Sequence, residues 1–407
     1  MIIRKIKPEE LKRVKELSAI SFEYGEDTAK SAEEIFRETQ NDPRSRADLH
    51  WQCRWAAFDD DGQMMSTMAA IPFRVQFDGH HCPMTGIGGV VTLPPYRRRG
   101  GIRACFEAAL PAMYAEGAAF SYLYPFSTAY YRKFGYELCC ERNEYKLLLE
   151  QIPHTDTGGT LYLVEPGRFM LEDIKAVYRA WQETYNMMVV AEDFEFRWVA
   201  KSNPVQDQQY TYVYKSRDGV PKAYATFRVA EENGEHNLQC SRFFHTDAEG
   251  FCGLMNLFAS LAADHCLVSF ALPQNEHIEP LLPEWCLGAR PRETSCYGMV
   301  RAVNVEAALR MARARGEGTV TLEITDEQIP QNNGRFQVRY RDNAVTGVEK
   351  TAREADASLG IQDFSRLITG VYDIDALRFL KGVAVHTDPG RLAGLFFRKP
   401  IYISEYF

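Results

Sequence analysis

The sequence predicts an α+β chain, mixed α/β in its sheets, in which one order of elements runs twice before a third unit of different order. Three observations carry this. Segments with a two-residue apolar period alternate with segments of helical period, Gly158-Gly159 interrupts the pattern near the first third, and 45% of the 407 residues are apolar, enough for more than one core. The expected divisions are 1–157, 158–290 and 291–407.

In the first unit Ile2, Ile3 and Ile6 alternate as a strand, and Pro8-Glu9-Glu10 opens a helix with Leu11, Val14, Leu17 and Ile20 on one face. Trp55 to Phe58 reads as a strand, Asp59-Asp60-Asp61-Gly62 as a turn, and Met64 to Phe77 as a long strand. Asp78-Gly79 turns the chain, with His80-His81 placed in the turn. Gly86 to Leu93 is a fourth strand, ended by Pro94-Pro95, which cannot donate ladder hydrogen bonds. From Ile102, the positions Cys105, Phe106, Ala109, Leu110, Met113 and Tyr114 have the spacing of a helix burying one face, and Phe120 to Tyr124 follows as a strand.

The second unit follows the strand Glu144 to Leu149. Tyr162 to Val164 is a strand, Glu172 to Trp181 a helix, and Tyr210 to Tyr214 with Ala223 to Val229 a hairpin around Asp218-Gly219. Asn237 to Phe244, a helix from about Gly253 to Ala263 and Leu267 to Leu272 complete the repeat, which is one of structure rather than of sequence. The third unit has a helix at Val305 to Arg313 and strands at Thr319 to Ile324, Phe336 to Tyr340 and Ala357 to Gly360. Its end, from Ile401 to Phe407, is too apolar for a loose tail and is expected to dock.

The net charge of −8 argues against a nucleic-acid binder, whose footprint is basic. It suits a cationic substrate, although solvated surfaces are often mildly acidic. The N-terminal MIIRKIKPEE carries charges where a signal peptide needs an apolar run, and no later run has the length of a membrane span, so the expected location is cytoplasmic, with no membrane partner. The ten cysteines include no CxxC pair and read as reduced thiols. Without HExxH, a zinc ribbon or a GxSxG elbow, no metal or serine nucleophile is expected.

The chemistry concentrates at Arg97-Arg98-Arg99-Gly100-Gly101-Ile102, between the fourth strand and an amphipathic helix. A helix N-terminus offers free N–H groups and a field that favours negative charge, glycines let backbone approach a ligand, and arginines add charge, so the turn suits a pyrophosphate. The alternative is a solvated basic patch. Gly86, Gly88 and Gly89 enter a strand instead of leaving one for a helix, which excludes a dinucleotide fingerprint and favours a bulge or close approach. In the second unit the corresponding turn, His245-Thr246-Asp247-Ala248-Glu249-Gly250, has acids where the first has arginines, and would repel an anion.

VTLPPYRRRGGIR resembles the acetyl-CoA motif of GNAT N-acetyltransferases, Q/R-x-x-G-x-G/A: Arg97 and Gly100 match, and Ile102 departs from the final small residue. Together with the second repeat lacking the motif, the segment AYYRKFGY (129–136) and the terminal Phe407, this is similar to the Eis (enhanced intracellular survival) acetyltransferases over essentially the whole chain. The resemblance implies tandem GNAT domains, the second degenerate, followed by a sterol carrier protein-like domain. It implies acetyl-CoA as co-substrate and an aminoglycoside-like, polyamine-like or lysine amine as acceptor, in a homohexamer.

By position, the resemblance places Val90, Val91 and Thr92 along the pantetheine arm, and Arg97, Arg98, Arg99, Gly100, Gly101, Ile102 and Arg103 around the pyrophosphate. Phe126 and Ser127, where the family often has Ser-Glu, border the cofactor. Tyr131 becomes the general acid, a phenol suited to a departing thiolate. Tyr122, Tyr124, Tyr130 and Tyr136 lie nearby, and residue order alone does not choose among them. The carboxylate of Phe407 becomes the base; an ordinary anchored terminus is the other reading. A non-catalytic acyl-CoA sensor and a lipid-binding protein are the rival functions.

Overall fold

A computed structural model describes residues 1–26, 29–41, 51–232, 234–281, 292–377 and 382–404. Phe407, for which the resemblance implies a role as base, lies outside the described residues. The chain divides into two compact units: one holds residues 1–140, 297–399 and the stretch from Ile403, the other residues 141–296 and 400–402.

The first unit opens with β1 (Ile2–Lys5), α1 (Leu11–Phe22), α2 (Ala32–Asn41), β2 (Arg54–Phe58), β3 (Met64–Phe77), β4 (His80–Thr92), α3 (Gly101–Ala115), β5 (Phe120–Leu123), α4 (Thr128–Arg132) and β6 (Glu137–Leu138). The Asp59–Gly62 turn forms as expected: Asp59 Oδ1 accepts from the N–H groups of Asp61 and Gln63, and Gly62 takes a left-handed φ of 78°. His80 and His81 are not in a turn. Asp78 and Gly79 alone make it, with φ of 50° and 90°, and the exposed histidines start β4, paired with Phe77 and Gln76.

The remaining elements are β7 (Glu141–Leu148), β8 (Thr160–Leu163), α5 (Leu171–Thr184), α6 (Pro204–Asp207), β9 (Gln209–Lys215), β10 (Pro221–Glu232), β11 (Glu235–His245), α7 (Ala248–Ser260), β12 (Leu267–Pro273), β13 (Arg292–Cys296), β14 (Met299–Ala302), α8 (Val305–Met311), β15 (Gly318–Thr325), β16 (Gly334–Arg341), β17 (Ala344–Lys350), β18 (Ala357–Gly360), α9 (Ile361–Thr369), α10 (Ile374–Leu377) and β19 (Val383–Val385). They build three mixed sheets, ordered β1-β2-β3-β4-β5-β14-β6, β13-β7-β12-β11-β10-β9-β8 and β17-β16-β15-β18-β19. In each, one parallel pair interrupts an antiparallel ladder: β4 with β5, β11 with β12 and β15 with β18. The architecture is a mixed α/β fold of tandem units with a C-terminal third sheet.

α7 starts earlier than the apolar spacing indicates, because Asp247 caps it by accepting from the Gly250 N–H at 2.9 Å. The strand before Gly158-Gly159 pairs with β12 and β13 in the second sheet. The first sheet is completed instead by β14, which inserts between β5 and β6. The chain thus leaves the first sheet after Cys140 and re-enters at Tyr297, whose N–H bonds the Cys140 carbonyl at 2.7 Å.

β14 also carries Arg301, whose side chain is fully buried. Its Nη2 lies 2.5 Å from Asp326 Oδ2, itself fully buried, and its Nη1 donates to the Phe134 carbonyl at the end of the α4 turn. Asp326 also accepts from Asn332 Nδ2 at 2.9 Å, and Ser365 Oγ on α9 accepts from the Ala302 N–H at 2.9 Å. A second buried pair, Lys399 Nζ with Asp78 Oδ2 at 2.5 Å, ties the β3–β4 turn to the chain after α9. Glu137 on β6 is gripped by Arg132 and by Arg366 of α9, at 2.8 and 2.9 Å.

A buried charge left without its partner is costly. Arg301→Met is therefore expected to lower the stability of the first unit by about 3–5 kcal/mol, read from the urea-unfolding midpoint. A loss below about 1 kcal/mol, the range of exposed pairs, would contradict the assignment of this pair as the pin of the fold.

Candidate active site

The site begins at a fault in the β4 ladder. Thr67 faces Val91 and Ala69 faces Gly88, so β4 carries one residue more than β3 across that interval. Gly89 absorbs the extra residue with a φ of 54°, in the left-handed region that favours glycine. This is the bulge expected from the glycine run. The parallel pairing of β4 with β5 stops at Ile87 and Leu123, yet β4 continues to Thr92. The two strands part there, and Val90, Val91 and Thr92 have no partner on β5. Their exposed ladder edge can bond an extended ligand as a further strand would.

Beyond Thr92, Pro94–Tyr96 forms a single 3-10 turn, with Arg97 N–H donating to Pro94 O at 3.2 Å. Arg98 and Gly100 then take φ of 64° and 83°, which swing the chain into α3 at Gly101. The first helical bond runs from Ala104 N–H to Gly100 O at 2.9 Å, which leaves the N–H groups of Gly101, Ile102 and Arg103 outside the helix ladder. Gly101 is packed so closely that a Cβ there would fall 2.6 Å from Ser66 Oγ, which in turn accepts from Thr92 Oγ1 at 2.9 Å. Ile102 is buried, whereas Arg97, Arg98, Arg99 and Arg103 are exposed. The result is a helix N-terminus ringed by positive charge, at the end of the parted strands.

Tyr131 lies on α4, in one buried cluster with Ile87 of β4, Leu123 of β5 and Ile102 of α3. The helix is short and is held by its cap: Ser127 Oγ accepts from the Tyr130 N–H at 3.3 Å. Ser127 therefore serves the backbone of α4. Phe126 is 74% exposed, with its ring edge-on to Tyr131 at 5.4 Å. The structure separates the tyrosines that the sequence leaves equivalent. Tyr136 is buried and bonded to Ser121 Oγ at 2.6 Å. Tyr131 is 2% exposed, and its hydroxyl has no hydrogen-bond partner among the described residues. Burial, then the neighbouring Tyr130 and Tyr136 hydroxyls, push its phenol well above the ordinary value, so it stays protonated at neutral pH.

Gly298, with a φ of 89°, lies beside the end of β5. A Cβ there would meet Tyr124 Cε1 at 3.4 Å, the Leu123 carbonyl at 3.6 Å and Ile403 Cδ1 at 3.8 Å. The buried Ile403 thus brings the last described residues to the C-terminal end of β5, where the strands part.

One residue of the site escapes sequence reasoning. Arg54 on β2 has Nε and Nη1 buried without hydrogen-bond partners among the described residues, and Nη1 would lie 3.2 Å from a Cβ on Gly89 at the bulge. An arginine in a strand reads as a solvated residue, and only the packing shows otherwise. The nine cysteines among the described residues form no disulfide with one another. Burial pushes Cys105, on α3 beneath the turn, up to about 12, which makes it a poor nucleophile. Among the described residues no group of three or more His, Cys, Asp or Glu side chains could hold a metal, and no helix is long and apolar enough to cross a membrane.

Comparison with known proteins places these features in a family. Models of the acetyltransferase (GNAT) domain match residues 2–139 and 176–302, and a sterol carrier protein domain model matches residues 305–404. No curated protein sequence matches. Among solved structures, an Enterococcus faecalis protein described as a probable N-acyltransferase is 22% identical with a TM-score of 0.83, covering 100% of this chain and 99% of its own. A GCN5-related N-acetyltransferase from Anabaena variabilis is 17% identical with a TM-score of 0.83, and Eis1 from Mycobacterium abscessus is 17% identical with a TM-score of 0.77, each covering 100% of both chains. At these identities the likeness is one of fold. With two GNAT domains followed by a sterol carrier protein domain, in the fold it shares with Eis1, this chain belongs to the GNAT acetyltransferases.

Proposed function

We propose that this acetyltransferase takes acetyl-CoA at the β4–α3 turn and transfers the acetyl group to a cationic amine by direct attack on the thioester. The observation that carries this reading is the conjunction of the Gly89 bulge with the open N-terminus of α3. Together they offer a ladder edge for the pantetheine amides and a positively charged cradle for the pyrophosphate.

In this reading Val90, Val91 and Thr92 bond the pantetheine arm, while the N–H groups of Gly101, Ile102 and Arg103, with the side chains of Arg97, Arg98 and Arg99, hold the phosphates. Gly100 gives the backbone its close approach, and Phe126 shields the thioester end. Ser127 acts through α4, whose cap it makes. The acidic turn at Asp247 excludes a second acetyl-CoA: the Gly250 N–H is occupied by the Asp247 carboxylate, whose other oxygen pairs with Lys222 at 2.6 Å.

The chemistry is a balanced transfer. The amine lone pair attacks the carbonyl carbon, and a β4 N–H polarises the carbonyl oxygen. The C–S bond then breaks, and the CoA thiolate takes its proton from Tyr131. The proton of the attacking amine passes through water to the Phe407 carboxylate. Arg54, positively charged beside the bulge, lowers the basicity of a nearby ammonium and so favours the neutral amine that can attack. The acceptor is aminoglycoside-like, polyamine-like or a lysine side chain, the enzyme works in the cytoplasm, and the assembly is a homohexamer, which sizing by light scattering tests directly.

Three outcomes test the reading. Gly100→Asp places a carboxylate in the cradle and is expected to abolish CoA binding by calorimetry; retained affinity would sink the pyrophosphate assignment. Tyr131→Phe is expected to lower kcat by about 10²-fold while leaving CoA affinity unchanged, since general acids contribute 10²–10⁴-fold. Normal turnover in that variant removes Tyr131 from the mechanism. Extending the chain beyond Phe407 is expected to stop release of free CoA thiol with every amine tried, and an extended enzyme of normal rate would exclude the carboxylate as base.

A further inference from the structure

The second unit holds a cavity of about 350 Å³ for which the proposed transfer has no use. It opens beside the turn from β11 to α7. Trp181 and Tyr185 of α5 wall it from one side, His245 and Phe251 from another, and Glu276 after β12 closes it. The size suits a small organic ligand.

Its polar groups are held in place without being used up. Trp181 Nε1 donates to the His245 carbonyl and the Tyr185 hydroxyl donates to Glu276 Oε1. The backbone carbonyl of Glu276 accepts from Asn143 Nδ2 and Tyr145 Oη at 3.1 and 3.2 Å, and its N–H bonds Pro273 O at 2.9 Å. His245 stands edge-on among Trp181, Phe243 and Phe251, with ring centroids 5.7, 6.0 and 5.3 Å away. Both its ring nitrogens are buried with no side-chain hydrogen-bond partner among the described residues, and Glu276 Oε2 lies 3.6 Å from Nε2. Buried polar atoms without partners are costly, and a ligand that bonds them recovers that cost.

The sign of the ligand follows from the charges. An anion would meet the Glu276 carboxylate and the acidic first turn of α7, where Asp247 already occupies the Gly250 N–H. Asp247 is neutralised by Lys222, whereas among the described residues Glu276 has only the neutral Tyr185 hydroxyl and the imidazole beside it. Burial pushes His245 below its ordinary value, against the pull of Glu276, so the ring is neutral at neutral pH and adds no positive charge. A carboxylate with indole and phenol faces around it matches a compact organic cation, through its charge and through cation–π contact. We propose that this cavity of the second unit is a binding site for a small organic ammonium ion. Glu276 supplies the charge, Trp181 and Tyr185 supply the aromatic walls, and the free imidazole nitrogen of His245 accepts from a ligand N–H.

The probe is tetramethylammonium, which has no N–H to acetylate, set against the neutral isostere tert-butanol and inorganic phosphate at equal ionic strength. The readout is the fluorine resonance of Trp181 in fluorotryptophan-labelled protein, identified by its loss in Trp181→Phe. The full-length protein is expected to show a saturable shift with tetramethylammonium at least about tenfold tighter than with tert-butanol, the lower range for a contact to a charged group. Glu276→Gln is expected to weaken it by a similar factor, and Gly100→Asp to leave it unchanged, which separates this site from the proposed CoA site. Absence of saturation, equal affinity for the neutral isostere, tighter binding of phosphate, or unchanged affinity in Glu276→Gln each overturns the proposal. The isostere comparison is made on the wild-type chain and decides the matter even if Glu276→Gln does not fold.

Discussion

The buried pair of Arg301 and Asp326 is the constraint on which the rest of the first unit depends. An ion pair out of water gains little net stability, but its directional bonds admit few arrangements. Arg301 satisfies three elements at once: β14, on which it sits, the Phe134 carbonyl that ends the α4 turn, and Asp326 in the loop after β15. The position of Tyr131 follows from that bond, because Tyr131 and Phe134 share one turn of chain. Gly135 is required for the same reason: with a φ of 81° it curls under the guanidinium, and any Cβ there would collide with Arg301. The candidate acid is thus positioned by charges on other segments of the chain.

Long periodic elements were the most legible in the sequence. The apolar stripe of α3 from Ile102 to Met113 and the strand from Met64 to Phe77 are found where their spacing puts them. The helix start at Gly101 was legible because glycine, arginine and an apolar stripe coincide in a few adjacent residues. Short elements were not. α4 has five residues and little periodicity, and exists because Ser127 caps it and Arg301 closes it. β6 and β14 are too short for a period to show, and their pairing depends on residues far away in the chain. Arg54, Arg301 and Lys399 illustrate a further blind spot: a cation in an amphipathic pattern reads as solvent-facing, and burial beside a bulge or a distant carboxylate is a property of packing alone.

The same reasoning separates the two GNAT domains. Both have a strand that leads into a helix and a parallel pair beside it, and both meet the problem of unpaired N–H groups at the helix start. The first leaves its N–H groups open at Gly101 and surrounds them with exposed arginines; the second fills them with Asp247 and neutralises that side chain with Lys222. One arrangement leaves its N–H groups open among cations, and the other has already satisfied itself. A backbone plan common to both therefore does not carry a common function; the side chains at one turn decide it.

Strand exchange gives the second domain a structural role even without a motif. The first sheet lacks a strand between β5 and β6 until the chain has passed through the second domain and returned as β14. The outgoing and incoming segments run side by side, Tyr297 bonded to Cys140 in one unit and Cys296 paired with Glu141 in the other, so the return point is held in register. A one-residue slip there would reverse every side chain of β14 and move Arg301 to the opposite face. The α4 turn would then lose the donor at Phe134, and Asp326 its partner. The α4 turn that carries Tyr131 consequently rests on a strand that the chain supplies only after residues 141–296 have been traversed.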